Sequence, residues 1–170
     1  MDKAITTVLL IVASVVLAML LFNTVYPAVS QSGDAIANMA NRQAQHLKTQ
    51  ITIIQVSDEL DASGQWQDTN GNGLFDVFMW VKNTGSVTLG PVESTDVFFG
   101  KEGNYVRIPY QANANGSYPY WTWQYETGTS WIPTTTVCIT IHYQSPLSQG
   151  RYFGKIALSD GSGDEYTLGM

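Results

Sequence analysis

Basic residues are scarce in this chain. Across 170 residues there are 8 Lys and Arg against 14 Asp and Glu, giving a net charge of -6 and a pI near 4.6. The few cations are scattered, so the chain would repel a phosphate backbone and no nucleic-acid partner is expected. There is one cysteine, Cys138, which excludes an internal disulfide framework and a cysteine-based metal cage. Flanked by Val137 and Ile139, it reads as a small strand residue rather than a nucleophile. Histidine is almost as rare. His46 falls on the polar flank of a predicted helix and His142 alternates with Ile141 in a predicted strand, neither spaced from a Ser, Cys or carboxylate as a triad requires. A phosphate-cradling glycine loop is also missing. Two acidic clusters, Asp58, Glu59 and Asp61, then Asp160, Asp164 and Glu165, read as solvated loops and not as acid/base pairs. No enzyme is therefore expected, and no cofactor is required.

Charge is absent altogether from Ala4 to Gly33. Residues 4–22 are almost wholly Val, Leu, Ile, Ala and Met, and as a helix rising about 1.5 Å per residue they would span roughly 28 Å, the hydrocarbon thickness of a bilayer. Such a helix belongs in lipid or in a bundle of similar helices. Thr6, Thr7 and Ser14 are small hydroxyls that can bond back to the preceding turn, and with Ala4, Ala13 and Ala18 they permit close approach of another helix. The run does not read as a secretory signal, because Lys3 is offset by Asp2 and no small-residue cleavage site ends it.

A break or kink is expected at Pro27, loosened further by Gly33. Beyond it Ile36, Met39, Gln43, Leu47, Ile51 and Ile54 recur at spacings of three and four, a mostly apolar stripe on an amphipathic helix. Residues 1–57 are thus expected to form one long helix and residues 58–170 a single β domain.

Residues 57–67 read as a loop, and from Leu74 the period becomes two. Phe75, Val77, Met79 and Val81 share one face of a strand, and Asp76, Phe78, Trp80 and Lys82 the other. Further strands are expected over 91–99, 105–110, 118–125, 134–143, 151–158 and 165–168, separated by Gly, Asn, Ser and Pro clusters. The fold class is α+β: a long hydrophobic N-terminal helix followed by an all-β, immunoglobulin-like antiparallel sandwich.

Three local patterns suggest sites. Asp68, Asn70 and Asn72, with the Leu74 carbonyl and Asp76, place oxygens at alternate positions as the opening of a calcium loop does; the competing reading is a metal-free Asn-Gly turn. Asn115-Gly116-Ser117 is an N-glycosylation sequon in a polar stretch. The aromatic run Tyr118, Tyr120, Trp121, Trp123, Tyr125 and Trp131 suits either a glycan platform or a subunit contact, and the contact is favoured.

The order of parts resembles the archaellins, the archaeal flagellin family, and more distantly the type IV pilins. The resemblance rests on residues 4–14, on Tyr26-Pro27 and on the strand over 77–85. It implies that a peptidase removes a short leader, that a separate secretion and motor platform handles assembly, and that the subunit sits in the membrane beforehand. It then implies a helical homopolymer for swimming, built on Ile5, Val8, Leu9, Val12, Val16, Leu20, Ile36, Met39, Leu47, Ile51 and Ile54, with the sandwich outside the cell. Pilins usually carry Glu at the fifth mature position, where this chain has Ile5, which favours the archaellins. Met1 is either the first residue after cleavage or the initiator. An adhesive pilus subunit, or a minor membrane-anchored component gripping the cell envelope, is the alternative.

Overall fold

The structure, a computed structural model, describes residues 2–170, with the side chain of Asp2 set aside. Met1, on which the choice between initiator and first mature residue turns, lies outside the described residues. The chain divides into two compact units, Met1–Ala44 and Gln45–Met170.

One helix, α1 (Asp2–Lys48), accounts for the whole of the first unit and ends inside the second. It continues through Pro27 without interruption, so the expected break is not found. Proline removes one amide donor but keeps a helical φ, so the helix continues past it with one backbone hydrogen bond fewer. Two of the anticipated hydroxyls, those of Thr7 and Ser14, bond back along the helix, and Thr24 does the same. Thr7 Oγ1 donates to the Lys3 carbonyl at 2.7 Å, Ser14 Oγ to Ile11 at 2.8 Å and Thr24 Oγ1 to Leu20 at 2.9 Å. Every side chain from residue 3 to residue 44 is exposed.

The second unit is a sandwich of two antiparallel four-stranded sheets. In one, β1 (Ile51–Asp58), β2 (Phe75–Asn83), β6 (Thr136–Tyr143) and β5 (Tyr120–Tyr125) lie in the order β1-β2-β6-β5. In the other, β4 (Asn104–Ile108), β3 (Asp96–Lys101), β7 (Arg151–Ala157) and β8 (Gly163–Gly169) lie in the order β4-β3-β7-β8. The inward faces follow the period-two pattern: Phe75, Val77, Met79 and Val81 of β2 are fully buried against Val97 and Phe99 of β3 and Ile156 of β7 in one core.

Strand β1 corrects the expected helix. Ile51 and Ile54, assigned to the helical stripe, are strand residues: Ile51 is 2% exposed in the sandwich core, whereas Ile54 points out at 52%. The spacing from Ile36 through Ile54 satisfies a helical period by coincidence, while the β-branched run ITIIQV favours extended backbone. Ile54 alternates outward, and a register shift between Ile53 and Gln55 keeps Gln55 outward as well and returns Val56 to the core. The helix stops where the sandwich takes over its backbone. The Lys48 carbonyl accepts from Ser86 N at 2.9 Å, and the Gln50 carbonyl from Thr84 N and Gly85 N at 3.0 and 2.9 Å. Only glycine fits at 85, because a Cβ there would stand 2.0 Å from the Lys48 carbonyl oxygen.

Candidate functional site

The polar loop between β1 and β2 closes over the outer face of its sheet. Asp76 alternates outward along β2 yet is fully buried, because this loop covers it. Its Oδ1 meets His142 Nδ1 at 2.6 Å, and Thr122 Oγ1 meets His142 Nε2 at 2.8 Å, the imidazole tautomer deciding which atom donates. Asp76 Oδ2 accepts from the side-chain amides of Asn70 and Asn72, both at 2.8 Å. Burial pushes the Asp76 carboxyl up, but hydrogen bonds from His142 and Asn70, the His142 charge and the Asn72 hydrogen bond outweigh it and hold the group below its ordinary range.

Glu59 completes the cluster and was missed in the sequence, where it reads as a solvated loop residue. It is 2% exposed. Its Oε1 accepts from Thr69 N and Thr69 Oγ1 at 2.9 and 2.6 Å, and its Oε2 from Asp76 N and Trp66 Nε1 at 3.1 and 3.2 Å. Four donors satisfy a buried carboxylate without a cation. No local spacing announces this arrangement, because Glu59, Asp76, Thr122 and His142 meet only once four segments have paired.

The candidate calcium ligands therefore sit within a self-bonded turn. Asp68 Oδ1 accepts from Gly71 N at 2.8 Å and Asn72 N at 3.2 Å, and its Oδ2 from Gly73 N at 2.9 Å. Asn70 Oδ1 takes Asn72 N at 3.1 Å, and Asn72 Oδ1 takes Leu74 N at 2.7 Å. Gly71 and Gly73 both adopt a φ of 72°, the left-handed conformation the turn needs. Among the described residues no group of three or more His, Cys, Asp or Glu is arranged to hold a metal.

The other candidates separate. Trp121 and Trp131 are core residues, each 1% exposed, so the aromatic run is not one surface. Tyr118 and Tyr120 pair on the outer face, where the Tyr120 ring lies 4.9 Å from His142. Asn115 of the sequon is exposed in a turn, with φ 50°. Cys138 is buried, and burial pushes its thiol up to about 11, leaving it unreactive at neutral pH. His46 Nδ1 lies 3.1 Å from Ser162 Oγ, beside the Thr49 hydroxyl bonded to Asp160, so the end of the helix is tied to the β7–β8 turn.

The exposed apolar side chains concentrate on α1. Ile5, Val8, Leu9, Val12, Val16 and Leu20 are all at least half exposed, as are Ile36, Met39 and Leu47. By length and composition α1 is the one described helix long and apolar enough to cross a membrane.

No protein-family model and no curated protein matches the chain. Solved structures do. The archaellum periplasmic stator protein FlaG from Sulfolobus acidocaldarius is 27% identical with a TM-score of 0.54, the match covering 71% of this chain and 99% of that one. FlaG and FlaF from the same organism, solved as a stator protein complex, provide a second match at 27% identity and a TM-score of 0.53, covering 71% of this chain and 89% of the other. Over that share the fold of the chain is similar to an archaellum protein's, which agrees with the sequence resemblance as far as the archaellum. The similarity, however, falls on a stator protein and not on the archaellin filament subunit that the order of parts resembles.

Proposed function

We propose that this chain is a membrane-anchored, envelope-side component of the archaellum, a static element of stator type, and not a subunit of the filament. The observation that carries this reading is the match to the FlaG stator protein, which spans nearly all of that chain and a share of this one close to the size of its sandwich unit. The chemistry agrees. A stator must stay fixed while the filament turns, and a charge-free helix of bilayer length supplies the fixing. The outer domain needs no catalytic group for such a role, and the buried cluster around Asp76 acts to hold the β1–β2 loop on the sheet.

A heteromeric partner of the kind named in the FlaF and FlaG complex is proposed here too. Fractionation tests the reading. The chain is expected in the membrane fraction, absent from filaments sheared off the cells, and co-purifying in detergent with a FlaF-like protein. Stoichiometric amounts in sheared filaments would reinstate the homopolymer and overturn the stator role.

A further inference from the structure

Outside the candidate membrane span, α1 carries an apolar stripe that its own chain leaves uncovered. Between Val29 and Leu47 the only large apolar residues are Ile36 and Met39, which are 71% and 70% exposed. They are not scattered. Val25, Val29, Ser32, Ile36, Met39 and Gln43 step by four, three, four, three and four, the alternation that defines the a and d positions of a heptad. Read backwards into the span, the same register takes in Phe22, Ala18 and Val15, where nearly every position is apolar, so the stripe stands out over the two heptads from Val29 to Gln43.

A strict seven-residue repeat is demanded by another helix, not by lipid or a sheet, because only a supercoiled helix follows a stripe of period 3.5. The a positions are Val29 and Ile36, β-branched as in two-stranded parallel coils, and the single polar a residue, Gln43, is of the type that sets register. Ser32 at d is tolerable because its hydroxyl already donates to the Ala28 carbonyl at 2.8 Å. The flanking e and g positions include Ala28, Gly33, Ala35 and Ala40, which let a partner backbone approach closely, and the charged g residue, Arg42, faces Leu47 at e of the second copy and not its own counterpart. Asp34 and Pro27 both fall at f, on the far side.

We propose that α1 pairs with α1 of a second copy as a parallel, in-register two-stranded coil along this seam. Copies anchored by the same helix enter the bilayer with the same orientation, so their seams face each other in parallel, at the high effective concentration of a membrane plane. The pairing rests on the membrane anchoring proposed above. It makes the anchored unit a dimer, with the Ile36 and Met39 layers in contact across the pair.

The test is cysteine cross-linking of the full chain in membranes, in a Cys138→Ala background. Ile36→Cys and Met39→Cys on the seam are compared with Asn38→Cys and Asn41→Cys off it, oxidised with copper phenanthroline and run on non-reducing gels. The seam variants are expected to give a band of twice the chain mass, on the order of tenfold faster than the other two. Equal rates at all four positions in membrane-bound protein would overturn the pairing and leave the anchor intact. A Met39→Cys band of any other mass would overturn it in favour of a heterologous helix. Recovery of the chain in the soluble fraction would overturn the anchor itself, and the pairing with it.

Discussion

The two units of this chain use the same apolar residues to opposite ends. In the sandwich, Val77, Val81, Val97 and Ile156 are wholly buried; in the helix, Val8, Val12, Val16 and Ile5 are at least half exposed. Both sets are legible as hydrophobic, yet only the sandwich contains its own solvent-free interior. A β face is covered by the opposing sheet, whereas a lone helix apolar on all sides has nothing in its own chain to cover it. The helix therefore calls for a cover from outside its own chain, lipid or another helix, whereas the sandwich core is covered from within.

Charge in the helix gives the largest expected break in that contrast. A pair of charges, Val12→Asp with Val16→Asp, should weaken membrane retention measurably while leaving the melting of the sandwich unchanged, because the sandwich has its own core. A sandwich that melts early in this variant would show that the units share stability. Next come the core residues. Phe99→Ala, at a side chain stacked on Tyr152 with centroids 5.7 Å apart, should cost about 3–5 kcal/mol by chemical denaturation without altering membrane attachment.

The buried polar cluster should follow closely. Asp76→Ala strands the His142 imidazole and the two asparagine amides, and should cost roughly 3 kcal/mol, with His142→Ala costing less. The same group predicts a pH effect. The folded value of the Asp76 carboxyl lies below its ordinary 3.8, so its stabilisation is complete above that value and disappears as pH falls through the folded one. A wild-type acid limb below about pH 4 that is flatter in Asp76→Asn is the expected result; identical limbs would assign the acid sensitivity elsewhere. The smallest effect concerns calcium. If the loop over 68–76 takes a cation, a chelator should lower the melting temperature by a few degrees and Asp68→Ala should erase the difference. Equal melts with and without chelator leave the loop as a turn.

Misreadings occur where one pattern satisfies two periods. Residues 51–56 fit a helical stripe and a strand alike, and their partner Asn83 to Met79 on β2 decides in favour of the strand. Pro27 carries a real local signal, but the loss of one amide donor does not by itself end a helix whose φ proline already fits. Glu59 looks solvated because acidic residues usually are, and Asp76 reads as an outward-facing candidate cation ligand; their burial depends on donors contributed by Trp66, Thr69, Asn70, Asn72 and His142. His142 shows no catalytic or ligand spacing for the same reason, since its partners are 20 and 66 residues away.

What the amino-acid order determined by itself was what depends on neighbours along the chain: a charge-free helix of bilayer length, the alternation of β2, the Asn-Gly turn and the apolar stripe through Ile36 and Met39. These follow from backbone periodicity and from the absence of charge, both local properties. Tertiary structure alone decided the end of the helix at Lys48, the pairing that makes 51–58 a strand, and the clasp of Glu59, Asp76, Thr122 and His142. Each of these depends on hydrogen bonds between segments far apart in sequence, and those bonds exist only when the sheets have closed.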